Sequence, residues 1–404
     1  GGRQIENRIP AIRSKQPDGK PRRDKGIVQI IIQYIHRFMH CSLCIVCGAR
    51  PNFIKVAPLI RAINASTSKQ GASFQLVYTG PENDPTIDQT LFADLHIPRP
   101  NTFLGVSATN LSEITGQTMQ RFEVYLQTHP TDTVVVVDDL ASTMAVAIVT
   151  KKHGIRLAHI AAGTRSFDIN MPKEVNRLVI DGLSDILFTA GTSNNSIANR
   201  EGAELSKVYM VGNILIDNLR FIHEKIKKPA IADNLSLNGK DYFVFTLNRK
   251  ALIANIGNLH EMVKAAISNA GETPIIAPLR DNAAKAILKC VQDFDPHFFH
   301  IVEPLPYLEF AWLTANAKGI ITDSGNVAEE ATFNHVPCIT LNSYTEHIET
   351  VRMGTNLLVG EDASTLGKAV ADIIKGKWKK GGLPERWDGR TAARMLSILE
   401  GNEE

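Results

Sequence analysis

The sequence predicts an α/β fold of two Rossmann-like, doubly wound domains facing a central cleft, on three observations. From residue 41 onward, short apolar runs alternate with longer amphipathic stretches, the rhythm of βαβ units that build a parallel sheet covered on both faces. Val134 to Val137 is an unbroken run of valine, as a central strand buried on both sides requires. The rhythm breaks over 224–240, where Glu224, Lys225, Lys227, Lys228, Pro229, Asp233 and Asn234 precede Asn238-Gly239-Lys240, and then starts again.

In the first half the apolar runs predict strands at 42–47, 74–79, 133–138, 156–160 and 185–189, with a short one at 208–211. The stretches between them predict helices over 53–65, 111–127, 141–153 and 174–183. In the second half strands are expected at 242–246, 273–277, 298–302, 318–322 and 337–341, and helices at 258–270, 281–293, 306–316 and 326–334. A last helix over Thr391–Leu399 carries Ala392, Met395, Leu396 and Leu399 on one face, which must be buried somewhere. Two such domains place ligands at strand carboxyl ends, facing the cleft.

At roughly 150 residues per domain, 404 residues suggest two or three domains, and 44% hydrophobic with 21% charged residues excludes a disordered or collagen-like chain. The expected division is a basic leader over 1–38, a first domain over 39–223, a second over 224–377 and a C-terminal segment over 378–404. The net charge of +2 gives no drive toward nucleic acid or an anionic membrane. Residues 1–27 hold eight Lys/Arg against three Asp/Glu, a local +5 that leaves −3 for the rest. The first methionine is Met39, so 1–38 reads either as upstream of the natural start or as a basic targeting arm; its apolar part, Ile27 to Ile35, is too short to span a membrane.

Cys41, Cys44 and Cys47 are spaced three apart, which hints at a metal site, but they sit in an apolar run that reads as a strand. On a strand Cys44 faces away from the other two, so they cannot converge on one ion and no metal is expected. Free buried thiols fit a reducing cytoplasm.

Five polar segments fall at strand ends. Gly48-Ala49-Arg50-Pro51-Asn52 lies where an open α/β sheet binds anions, with Arg50 and Lys55 available for phosphate; a plain strand–helix turn explains the glycine but not the cations. Thr322-Asp323-Ser324-Gly325-Asn326 offers helix amides for phosphate, and Glu329 or Glu330 one turn on suits ribose hydroxyls; the bland alternative is an ordinary cap with an acidic first turn. His159 to Arg165 and Met171 to Arg177 form a long polar loop, with Arg165, Glu174, Asn176 and Arg177 of interest. Asp138-Asp139 ends the valine strand, where desolvation is expected to raise a carboxylate's pKa; Asp139 as a helix cap is the alternative. Asn248-Arg249 mirrors the first turn from across the cleft.

Together these segments resemble the non-hydrolysing UDP-N-acetylglucosamine 2-epimerases, from Met39 to Glu361. Gly48 to Asn52 is similar to the family's Gly-Thr-Arg-Pro-Glu turn, and Gly163-Thr164-Arg165-Ser166-Phe167-Asp168 with Met171 to Arg177 to its central signature. Val211-Gly212-Asn213 and Asp217 look like the end of its first domain. Thr322 to Gly325, Glu329-Glu330, Thr345-Glu346, Glu349 and Gly354-Thr355-Asn356 look like its second. The resemblance implies a fold like that of the GT-B glycosyltransferases, with the last helix packing back on the first domain. It also implies a homodimer, a UDP-sugar substrate and no cofactor. The implied chemistry eliminates UDP from C1 as a base takes the C2 proton, then adds UDP back after reprotonation of the 2-acetamidoglucal on its other face. The implied catalytic residues are Asp139, Glu174 and Arg165. The implied UDP-sugar-binding set is Arg50, Lys55, Asn176, Arg177, Asn248, Arg249, Phe310, Ser324, Gly325 and Glu330.

The chain departs from the pattern where protons move. The glutamate of the family's His-Val-Glu-Ala-Gly becomes Ala161, the first glutamate of Pro-Glu-Glu becomes Lys173, and the histidine of Thr-x-His-Arg becomes Asn248. His159 and His347 are possible substitutes; His159 also reads as a satisfied strand-end histidine, and His347 as solvated. Losing one general base typically costs on the order of 10²–10⁴ in rate. Rival readings are therefore a UDP-sugar sensor without turnover and a GT-B glycosyltransferase.

Overall fold

Each apolar run that reads as a strand forms one, and the strands assemble into two parallel sheets. The computed structural model describes residues 41–66, 72–201, 206–237, 242–292, 294–295 and 297–401. The expected leader over 1–38 lies outside them. The first sheet holds β1 (Ser42–Cys47), β2 (Ser73–Tyr78), β3 (Thr102–Phe103), β4 (Thr133–Val137), β5 (Arg156–Ile160), β6 (Ile186–Thr189) and β7 (Lys207–Met210), in the order β3-β2-β1-β4-β5-β6-β7. The second holds β8 (Phe243–Phe245), β9 (Ile275–Pro278), β10 (Phe299–Val302), β11 (Gly319–Thr322), β12 (Cys338–Thr340) and β13 (Asn356–Leu358), in the order β10-β9-β8-β11-β12-β13.

Side chains of the central strands alternate between two apolar layers. Leu43, Ile45, Cys47, Val135 and Val137 enter one; Cys44, Val46, Val134 and Val136 enter the other. Cys44 thus faces away from Cys41 and Cys47, and none of the five cysteines is in a disulfide. The second sheet has its own two layers, around Phe245 and Ile321 on one face and Val244 and Ile320 on the other.

The structure adds elements to the expected set. The edge strands β3 and β13 are two and three residues long, too short to form an apolar run. Helices also cover Gln89–Leu95, Thr192–Glu201, Ile214–Ile222 and Ala363–Ile374. The break over 224–240 contains a 3₁₀ turn, His223–Lys225, and one helical turn, Ala230–Asn234. The helix expected over 281–293 stops at Cys290.

The last helix, Thr391–Leu399, packs Met395, Leu396 and Leu399 into the first sheet's core beside Phe53 and Ile60. Groups from that half cap both its ends. Asp217 accepts from the amides of Thr391 (3.1 Å) and Ala392 (2.8 Å), and Arg156 Nη2 donates to the Leu399 carbonyl (3.0 Å). Tyr307, Leu308 and Ala311 from the Tyr307–Ala315 helix enter the same core, so Cys41–Glu404 forms one compact unit. Among the described residues, no helix is long and apolar enough to cross a membrane.

Candidate active site

Both strand orders reverse direction at one point, between β1 and β4 and between β8 and β11. Loops leave the carboxyl ends on opposite sides there, opening a crevice. The loops at the two reversal points, with neighbouring polar loops, line a single cavity of about 520 Å³.

The first turn fills itself. Asn52 Oδ1 accepts from the amides of Gly48 (2.9 Å) and Ala49 (3.1 Å), the groups expected to meet an anion. Lys55 Nζ lies 2.6 Å from Asp138 Oδ1, and Asn52 Nδ2 donates to Asp138 Oδ2 at 2.9 Å. Asp138 adopts φ +59°, a left-handed conformation that aspartate tolerates better than most residues, and this aims its carboxylate at Lys55. Burial pushes the Lys55 ammonium down, but Asp138, with Glu329 and Asp139, outweighs it and holds its pKa above the ordinary value. The turn's amides and its lysine are thus satisfied by the protein's own groups. Arg50 lies off the cavity, in the field of Asp88, Arg280, Tyr307 and Asp94.

The second turn is built differently. Asp323 Oδ2 accepts from the amides of Asn248 (2.7 Å) and Arg249 (2.6 Å), which pins the β8 turn to the β11 turn. Asn248, Arg249, Ser324, Gly325 and Asn326 all line the cavity. The Arg249 guanidinium bonds Asn342 and Glu361 at the rim. Ser324 occupies the cap position of the Gly325–Phe333 helix but makes no side-chain cap bond, contrary to expectation. The first-turn amides of this helix therefore remain available to an anion. Glu330 does not line the cavity; burial and the neighbouring Glu329 push its carboxyl up to about 8. Phe310 also lies off the cavity, packed with Trp312 against the second sheet's core.

Above the first turn sits a clamp around Asp139. Arg177 approaches its Oδ2 at 2.7 Å through Nη2 and 2.8 Å through Nε, while Lys173 Nζ is 3.2 Å from Oδ1. Burial pushes the Asp139 carboxyl up, but Lys173 and Arg177 outweigh it and hold the group below the usual range, the reverse of the shift expected from desolvation alone. Arg177 also bonds Glu174 (3.0 Å) and, across the cleft, Glu346 (2.9 Å). Glu346, which the sequence marks only as part of a motif of the second half, is thus a bridge between the halves. Asn176 donates from Nδ2 to the Asp139 carbonyl at 2.8 Å.

Two residues expected to be catalytic turn away from the cavity. Arg165 is buried between Asp181 (2.7 Å) and Glu201 (2.8 Å). Glu174 is engaged by the amides of Ser166 (2.8 Å) and Phe167 (3.1 Å) and by Arg177. His159 is satisfied as a strand-end histidine, with Nδ1 2.6 Å from Asp181 and Nε2 3.0 Å from the Asp138 carbonyl.

A family profile described as UDP-N-acetylglucosamine 2-epimerase matches residues 64–400. The chain belongs to this family. It is 36% identical over 372 residues to a UDP-N-acetylglucosamine 2-epimerase of Methanocaldococcus jannaschii, covering 89% of this chain and 98% of that one. It is 32% identical over 337 residues to a UDP-2,3-diacetamido-2,3-dideoxy-D-glucuronate 2-epimerase of Pseudomonas aeruginosa, covering 80% and 92%. The crystal structure of the Methanocaldococcus jannaschii UDP-GlcNAc 2-epimerase in complex with UDP-GlcNAc and UDP superposes with a TM-score of 0.77 at 33% identity, over 89% of this chain and 99% of that one. The two-domain, GT-B-like α/β fold is that of the epimerases. In this member of the family, Ala161, Lys173 and Asn248 all line the cavity. These three positions therefore face any ligand held there.

Proposed function

We propose that this protein is a 2-epimerase of UDP-2-acetamido sugars, interconverting UDP-N-acetylglucosamine and UDP-N-acetylmannosamine or a close relative, for surface polysaccharide precursors. The observation that carries the reading is the pairing of an open helix N-terminus on the second half with the Asp139 clamp on the first, across one cavity. The amides of Gly325 and Asn326, with Arg249, bind the diphosphate. Asp139 takes the C2 proton as UDP leaves C1, and the 2-acetamidoglucal stays in the cleft until UDP adds back. Lys173 and Arg177 hold Asp139 in place and offset charge around it. The names of the Methanocaldococcus and Pseudomonas relatives share a UDP group and a 2-acetamido substituent, which supports that substrate class. A homodimer in the cytoplasm completes the proposal, to be checked by light scattering and by cell fractionation.

A second reading, a UDP-sugar binder without turnover, is favoured by Asp139 being paired with two cations and by the lack of a titratable group at Ala161 and Asn248. Proton NMR of UDP-N-acetylglucosamine with the protein in D₂O separates the two. Deuterium at C2 with the manno epimer appearing supports the enzyme; line broadening without exchange, glucal or free UDP supports the binder.

A further inference from the structure

Two imidazoles line the cavity, and they differ in what they have left to give. His159 is engaged on both nitrogens. His347 is engaged on one: Nδ1 lies 2.8 Å from Glu329 Oε1, and Nε2 has no hydrogen-bond partner among the described residues. The free edge is aimed by the fold. A Cβ placed on Gly325 would stand 2.1 Å from His347 Cδ2 and 2.2 Å from Nε2, so the ring lies against the first residue of the Gly325–Phe333 helix. An anion on the first-turn amides of that helix is thus within reach of Nε2.

The charged groups around the ring come from three places. Glu329 projects from the helix and is buried, Lys55 reaches in from the first half, and Glu346 precedes His347 in its own loop, itself bonded to Arg177. Burial pushes the imidazole's pKa down, but Glu329 and Glu346 more than offset burial and Lys55, so it lies above the usual histidine value.

We propose that His347 is the leaving-group acid of this cleft, donating a proton from Nε2 to the departing diphosphate and recovering it when UDP adds back. This rests on the epimerase reading. As the C1–O bond breaks, its electron pair passes to the β-phosphate, which takes the Nε2 proton. The C2 proton passes to Asp139, and its electron pair becomes the C1=C2 double bond. The imidazole is left neutral, with Nδ1–H on Glu329; on re-addition Nε2 takes its proton back from the β-phosphate, C2 receives a proton from solvent on its other face, and Asp139 releases its own proton to solvent.

The test measures UDP affinity by calorimetry and kcat by NMR from about pH 6.5 to about pH 9.5, for wild type, His347→Gln, His347→Arg and Glu329→Gln. UDP's own second ionisation, near about pH 6, raises affinity with pH and cannot mimic the expected fall. In wild type, UDP affinity drops about tenfold as His347 loses its proton. His347→Gln abolishes that drop and lowers kcat on the order of 10²-fold. His347→Arg restores affinity without the drop and leaves kcat low. Glu329→Gln moves the drop to lower pH, which a merely structural role would not do. An unchanged kcat in His347→Gln, or the same pH profile in it and in wild type, overturns the proposal. A His347-dependent profile with no C2 exchange in wild type overturns the acid role and leaves His347 a diphosphate clamp; that failure belongs to the epimerase reading.

Discussion

The two strand-order reversals of this molecule sit in sheets of the same topology, yet they are furnished in opposite ways. At the first, Asn52 occupies the turn amides and Asp138 occupies Lys55. At the second, one aspartate, Asp323, ties the turns together and the helix beginning at Gly325 is left uncapped. Topology makes both places eligible for an anion. Side chains then set them apart: the second half keeps an uncapped helix start, where the proposed reading places the diphosphate, and the first half holds the Asp139 clamp.

That division predicts effects that separate by half. Asp139→Asn, on the first half, should lower turnover by on the order of 10²–10⁴ in NMR-monitored epimerisation. UDP affinity by calorimetry should stay within about threefold, because the diphosphate is held elsewhere. A parallel loss of binding would break the division. Arg165→Met should cost about 3–5 kcal/mol in urea unfolding, since it leaves Asp181 and Glu201 without their buried cation. Its kcat should be near wild type where the protein is folded; a large kcat effect at full stability would return Arg165 to the catalytic set.

The glycines of the two turns give a sharper pair. Gly325→Ala pushes the His347 ring off the helix start and should weaken UDP about tenfold or more. Gly48→Ala drives a Cβ to 2.4 Å from Ser142 Oγ and should lower the melting temperature while leaving UDP affinity unchanged. Asp138→Asn takes from Lys55 its hydrogen-bonded carboxylate and leaves only Glu329 and Asp139 near its charge; stability should fall by roughly 1–3 kcal/mol and affinity for UDP should rise a few-fold. The smallest effect concerns Glu330. Its carboxyl is raised from 4.5 to about 8 by burial and Glu329, so the folded state binds the extra proton. Stability is then fully present below pH 4.5 and is lost as pH rises through about 8. Glu330→Gln should flatten that decline by roughly 1 kcal/mol between neutral and alkaline melts.

Much of this fold is legible in the sequence because parallel strands buried on both faces read as apolar runs; Ser42–Cys47 and Arg156–Ile160 are found at the predicted bounds. Thr192–Glu201 is mostly polar and carries no such signal. Ala363–Ile374 does carry one, in Leu366, Ala369, Val370 and Ile373 behind an Asp362 cap, although it is not among the expected helices. The site was legible as residue types at strand ends. Direction was not: Arg165 and Glu174 share a polar loop with Lys173 and Arg177, and only the distant partners Asp181, Glu201 and the Ser166 amide show which of them turn inward. The pairing of Lys55 with Asp138, 83 residues apart, was equally invisible.

The most direct measurement is a crystal structure of the protein with UDP. The account predicts the diphosphate on the amides of Gly325 and Asn326, within reach of Arg249 and His347, with the Lys55–Asp138 pair intact. A diphosphate on the Gly48–Ala49 turn, with Asp138 displaced from Lys55, would contradict it.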